Sequence, residues 1–95
     1  MRVRVEYIGR LRVKLNKRGE DVEVSDGATL RELLGRLAET HGEIFKEEIF
    51  ESGMEDLKDN WVALVNGILS TRLKGLETRL GEGDSVAFVP FMSGG

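Results

Sequence analysis

An α+β fold, with one mixed sheet and one main helix packed across one face, is the architecture this 95-residue sequence predicts. Three observations predict it: apolar residues alternate with charged ones at the N-terminus, four leucines follow at helical spacing, and apolar runs bounded by turn residues fill the second half. With 40% hydrophobic and 33% charged residues, the chain holds enough apolar material for one core and is too short for two. Residues 1–90 are therefore expected to form a single domain, with 43–60 as an irregular or short-helix insertion and 91–95 as a flexible tail.

The elements follow in order. Val3, Val5 and Tyr7 alternate with Arg2, Arg4 and Glu6, the period of a strand with one buried and one wetter face. Leu11, Val13 and Leu15 continue an alternation after Gly9, and Asn16-Lys17-Arg18-Gly19 supplies turn chemistry before Val22 and Val24. This reads as extended structure leading into a hairpin partner strand that ends near Val24. Ser25-Asp26-Gly27 breaks it, and Thr29-Leu30-Arg31-Glu32 has capping-box spacing. Leu30, Leu33, Leu34 and Leu37 then fall at i, i+3, i+4 and i+7, so one helix face is apolar, and His41-Gly42 supplies the stop. Between 43 and 60, Ile44, Phe45, Ile49 and Phe50 have the makings of a second short amphipathic helix, which Ser52-Gly53 interrupts.

Trp61-Val62-Ala63-Leu64-Val65 reads as a strand ended by Asn66-Gly67, a dipeptide suited to the positive φ of a tight hairpin turn. Residues 68–80 read as short, broken extended structure around Gly75. Gly81-Glu82-Gly83-Asp84 is a turn before the last strand, Val86-Ala87-Phe88-Val89, which Pro90 stops. A helix covers one face of a sheet, yet both faces of the strands at 61–65 and 86–89 are apolar. A second apolar face is thus expected to remain open for a partner. Its residues are assigned as Trp61, Ala63, Val65, Ala87 and Val89, continued by Phe91, Met92 and Ser93. The alternative is that the insertion, with Ile44, Phe45, Ile49 and Phe50, folds over that face.

Composition narrows the chemistry. A formal net charge of -3 lacks the basic excess of a nucleic-acid binder, and no apolar stretch has signal-peptide or membrane-spanning length, so a cytoplasmic protein with neither nucleic acid nor membrane as partner is expected. With no Cys, thiolate nucleophiles and Cys-rich metal sites are excluded, and the single His alone is a poor metal ligand. His41 reads as a favourable cation at a helix C-terminus, Gly81–Asp84 as a plain turn, and Glu47-Glu48 and Glu55-Asp56 as solvated carboxylates. Arg2, Arg4, Arg10 and Arg12 suit either an acidic partner or a soluble strand edge. What remains as a reactive group is the end of the chain. Gly94-Gly95 has no Cβ atoms, so it threads a narrow channel and leaves its carboxylate sterically open.

The segment Leu80 to Gly95, with its Gly-Asp turn, apolar strand, Pro90 and terminal Gly-Gly, resembles the C-terminus of the MoaD/ThiS family of ubiquitin-like sulfur carriers. Val65-Asn66-Gly67 and Asp26 to Leu34 resemble that family's hairpin and helix start. The match is closer to the molybdopterin synthase small subunit and to the related archaeal small modifiers. Phe91-Met92 departs from it, standing where a second Pro and a smaller aliphatic are frequent.

The resemblance implies a ubiquitin-like β-grasp fold and a protein that is a substrate, not an enzyme, and that binds no cofactor or metal. It also implies that a MoeB/ThiF-like activating enzyme uses ATP to adenylate the Gly95 carboxylate, with Gly94 beside it. Attack by a sulfur donor then gives a thiocarboxylate, which a MoaE-like large subunit of molybdopterin synthase uses to build the molybdenum or tungsten cofactor. Attack by a lysine amine gives instead an isopeptide-linked protein modifier. A β-grasp module that docks without conjugation is the third possibility.

Overall fold

The computed structural model describes residues 1–51 and 56–91. Five strands form one sheet in the order β2-β1-β5-β3-β4: β1 is Arg2–Tyr7, β2 Gly19–Glu23, β3 Trp61–Val65, β4 Ile68–Leu69 and β5 Ser85–Pro90. The β1–β5 pair is parallel and the other three pairs are antiparallel, as a mixed sheet requires. Asn66 at φ 52 and Gly67 at φ 83 make the tight turn between β3 and β4, the geometry for which Asn-Gly is suited. Across β1 and β2, Arg2 faces Glu23 and Arg4 faces Asp21, so opposite charges pair on the wet face.

The main helix, α2, spans Leu30–His41. Thr29 caps it, its hydroxyl accepting from the Glu32 N–H at 3.2 Å. Leu30, Leu33, Leu34 and Leu37 are all buried against the sheet, each contributing roughly 1.5–3 kcal/mol of apolar transfer free energy. Gly42, at φ 69, ends α2, and its N–H bonds the Ala38 carbonyl at 2.9 Å.

The structure departs from the reading of the sequence at the segment after Gly9. Residues 10–15 are helical, not extended: α1 is Arg10–Leu15, closed by Asn16 in the left-handed region. Leu11 and Leu15 are four residues apart, which is two steps of an alternation and about one turn of a helix, so their spacing suits both periods. Arg, Leu and Lys are strong helix formers, and Val13, which a strand would have buried with them, is 78% exposed. The insertion carries a helix, α3, at Glu43–Ile49, whose Phe45 and Ile49 are fully buried. The Phe45 ring stands edge-on to Phe88 at 6.1 Å, so α3 joins α2 on the covered side and leaves the other side of the sheet open.

Candidate functional site

Register decides which side chains share a face. Opposite residues in an antiparallel pair point the same way, and Val62 pairs with Val89, Leu64 with Ala87, and Leu64 with Leu69 on its other side. These five form an apolar strip across β5, β3 and β4. Beside it, Arg4 and Glu6 of β1 are exposed and stand level with Ser85 and Ala87. The strip is partly exposed throughout, and no described helix covers it.

The complementary set is buried. Trp61, Ala63 and Val65 are 4%, 1% and 4% exposed and face the helices together with Val86 and Phe88. Their expected place on the open face is therefore corrected: Trp61, Ala63 and Val65 lie on the covered side, the open side of β3 carries Val62 and Leu64, and Ala87 and Val89 do lie on the open side. Choosing Ala87 and Val89 on β5 entails Val62 and Leu64 on β3, because paired residues share a face. An unbroken apolar run carries no parity signal of its own, so Trp61, Ala63 and Val65 grouped with Ala87 and Val89 span both sides of the sheet. Leu69 was missed, and its only signal is its position opposite Leu64 once the Asn66-Gly67 turn sets the hairpin register.

β5 delivers the chain to the end of this strip. Pro90 is tolerated because its nitrogen points toward β1, whose last paired residue is Tyr7; the Phe88 carbonyl there accepts from the Ile8 N–H at 3.2 Å. On the β3 side the Phe91 N–H bonds the Asn60 carbonyl at 2.8 Å, holding the chain in line one residue beyond the strand. Gly9, at φ 72, packs on the Pro90 ring so closely that an added Cβ would lie 2.5 Å from its Cγ. Phe91 is half exposed and lines a groove of about 650 Å³ along the outer edge of β3, with Trp61, Leu69 and Leu76. Met92, Ser93, Gly94 and Gly95 lie outside the described residues.

Two polar clusters lie away from the strip. Glu48 is nearly buried and accepts from the Trp61 indole N–H at 3.3 Å, while Arg10 and Lys14 each approach its other oxygen to 3.5 Å. Glu20 receives the Tyr7 hydroxyl at 2.5 Å and lies 2.6 Å from His41 Nε2. Burial, then the hydrogen bond to Glu20 and its charge, hold the Tyr7 hydroxyl well above its ordinary pKa. Burial pushes Glu20 up, but its bonds with Tyr7 and His41, helped by the His41 and Lys17 charges, leave it below its ordinary value. Both clusters tie elements together: the first joins α1, α3 and β3, the second β1, β2 and α2. His41 thus serves as a partner for Glu20. Among the described residues no group of three or more His, Asp or Glu is placed to hold a metal, and no helix is long and apolar enough to cross a membrane.

The sequence model of the ThiS family matches residues 5–95. Among solved structures, the crystal structure of SAMP1 from Haloferax volcanii superposes with a TM-score of 0.85 at 25% identity, covering 100% of both chains. The putative molybdopterin converting factor subunit 1 from Pyrococcus furiosus gives 0.76 at 29% identity, covering 97% of this chain and 99% of that one. The Amycolatopsis orientalis BexX/CysO complex contains a chain matching at 0.76 and 27% identity, covering 98% and 99%. No curated protein sequence matches the chain.

Proposed function

The chain belongs to the ThiS family, and from that membership we propose that it is a sulfur carrier whose Gly95 carboxylate is adenylated by an ATP-dependent activating enzyme and converted to a thiocarboxylate. A carboxylate oxygen attacks the α-phosphorus of ATP and pyrophosphate leaves. The acyl adenylate then presents a carbonyl from which a sulfur nucleophile displaces AMP. This chain supplies the carboxylate, the glycines that let a narrow channel reach it, and a surface for the enzyme to hold. The observation that carries the reading is the apolar strip of Val62, Leu64, Ala87 and Val89, which is open on the sheet and adjoins the strand that leads into the glycine tail. A family match running to residue 95 supports it, since the match includes that tail.

The recipient we propose is the molybdopterin precursor, with a MoaE-like large subunit as second partner; the likeness to the Pyrococcus furiosus protein supports this. The likeness to SAMP1, a small archaeal modifier protein, favours a second reading, in which a lysine amine displaces AMP and an isopeptide bond results. The carrier chemistry is common to both up to the adenylate.

Intact mass spectrometry separates them after incubation with the host's activating enzyme, ATP and a sulfur source. Replacement of one oxygen by one sulfur in the full chain, absent after deletion of Gly95, is the expected result. Gly95-dependent adducts on lysines would make the chain a modifier. No Gly95-dependent change would leave only a docking module.

A further inference from the structure

Five of the fourteen Lys and Arg residues fall within residues 10–18, a stretch with no Asp or Glu, in a chain of formal net charge -3. They are Arg10, Arg12, Lys14, Lys17 and Arg18, all exposed, and α1 with its following turn gathers them into one lobe. The lobe is held firmly. Leu11 is fully buried beneath it, and Arg12 Nε donates to the Tyr7 carbonyl at 2.9 Å. Glu48 stands 3.5 Å from both Arg10 and Lys14, and Glu20 is 3.4 Å from Lys17. One carboxylate between two cations leaves a positive surplus. At the centre of the lobe Val13 is 78% exposed, more than any other large hydrophobic residue described. An apolar tip ringed by cations gains nothing in water and fits a shallow apolar recess with an acidic rim.

Position says whose recess it is. Gly9, the residue before α1, packs directly on Pro90, so the lobe flanks the point where the chain leaves the sheet. A protein that receives the C-terminal tail from this direction must extend over α1.

We propose that α1 is a second docking element, which seats Val13 in an apolar recess and its cations against an acidic rim beside the tail-receiving cleft of the activating enzyme. This rests on the carrier reading above. The apolar strip supplies contact area, and the lobe supplies orientation and a salt-sensitive encounter.

The test is ATP–pyrophosphate exchange by the host's activating enzyme, measured against concentration of the full-length chain across a salt titration. Val13→Glu combined with Arg18→Glu removes the apolar tip and cuts the formal charge of residues 10–18 from +5 to +2 without touching the buried residues, and a glutamate at 13 lies one helical turn from Arg10. The expected result is a KM for the chain raised about tenfold, kcat within about twofold, and a flatter dependence on salt than wild type. A milder pair, Val13→Ser with Arg18→Gln, is expected to raise KM about threefold and guards against misfolding of the first. An unchanged KM and salt slope in both pairs, or a loss confined to kcat, overturns the proposal. Deleting Gly95 in the wild-type background is the separate control: exchange that survives it overturns the carrier reading itself.

Discussion

Tyr7, Glu20 and His41 show what the interior does to titratable groups, and the consequence is measurable because Tyr7 is the only tyrosine. A hydroxyl whose pKa is raised by folding stabilises the native state fully below its unfolded value near 10, and that contribution is lost as pH rises past it. A carboxylate whose pKa is lowered, as for Glu20, contributes above its unfolded value of 4.5, and its contribution is lost as pH falls through the lower folded value. Urea midpoints of wild type, Tyr7→Phe and Glu20→Gln across pH are therefore expected to converge at opposite ends. The wild-type advantage over Tyr7→Phe shrinks above pH 10, and that over Glu20→Gln shrinks below 4.5. A tyrosinate absorbance midpoint near 10 in the folded protein would contradict this account.

At the scale of elements, the helices differ in how they are specified. α2 carries its own start, stripe and stop in Thr29, the leucines and Gly42, so it is legible without any neighbour. Substituting Thr29→Ala leaves the Glu32 N–H without its acceptor and is expected to cost about 1 kcal/mol in urea denaturation. A cost near zero would mean that water caps the helix as well. α1 has no side-chain cap, and its apolar spacing suits two periods. What selects the helix is packing of Leu11 into the core while Arg12 bonds the Tyr7 carbonyl, neither of which a window of residues reveals. The same holds for α3, whose Phe45 meets Phe88 from far along the chain.

At the scale of the molecule, two apolar sheet faces have different fates because α2 and α3 both pack on one of them. Leu64→Asp places a carboxylate on the open strip, where water solvates it, and Ala63→Asp places one under the helices, cut off from water. The first variant is expected to fold with nearly wild-type thermal stability and to lose binding to the activating enzyme by calorimetry; the second is expected to be unfolded. Wild-type affinity in Leu64→Asp would show that the strip is not the contact surface.

By itself the sequence determined the α+β class, the strand at 2–7, the leucine-striped helix, the Asn-Gly hairpin, the last strand ending at Pro90 and the diglycine end, because each is written in local periodicity or turn chemistry. It also showed that two strands are apolar on both sides. Only the tertiary structure decided which side of Trp61–Val65 is covered, that residues 10–15 form a helix, and that α3 packs beside α2 and not over the open strip. The physical reason is that a side chain's face is set by cross-strand register, and register is a relation between distant residues: Val62 lies on the open side because Val89 does.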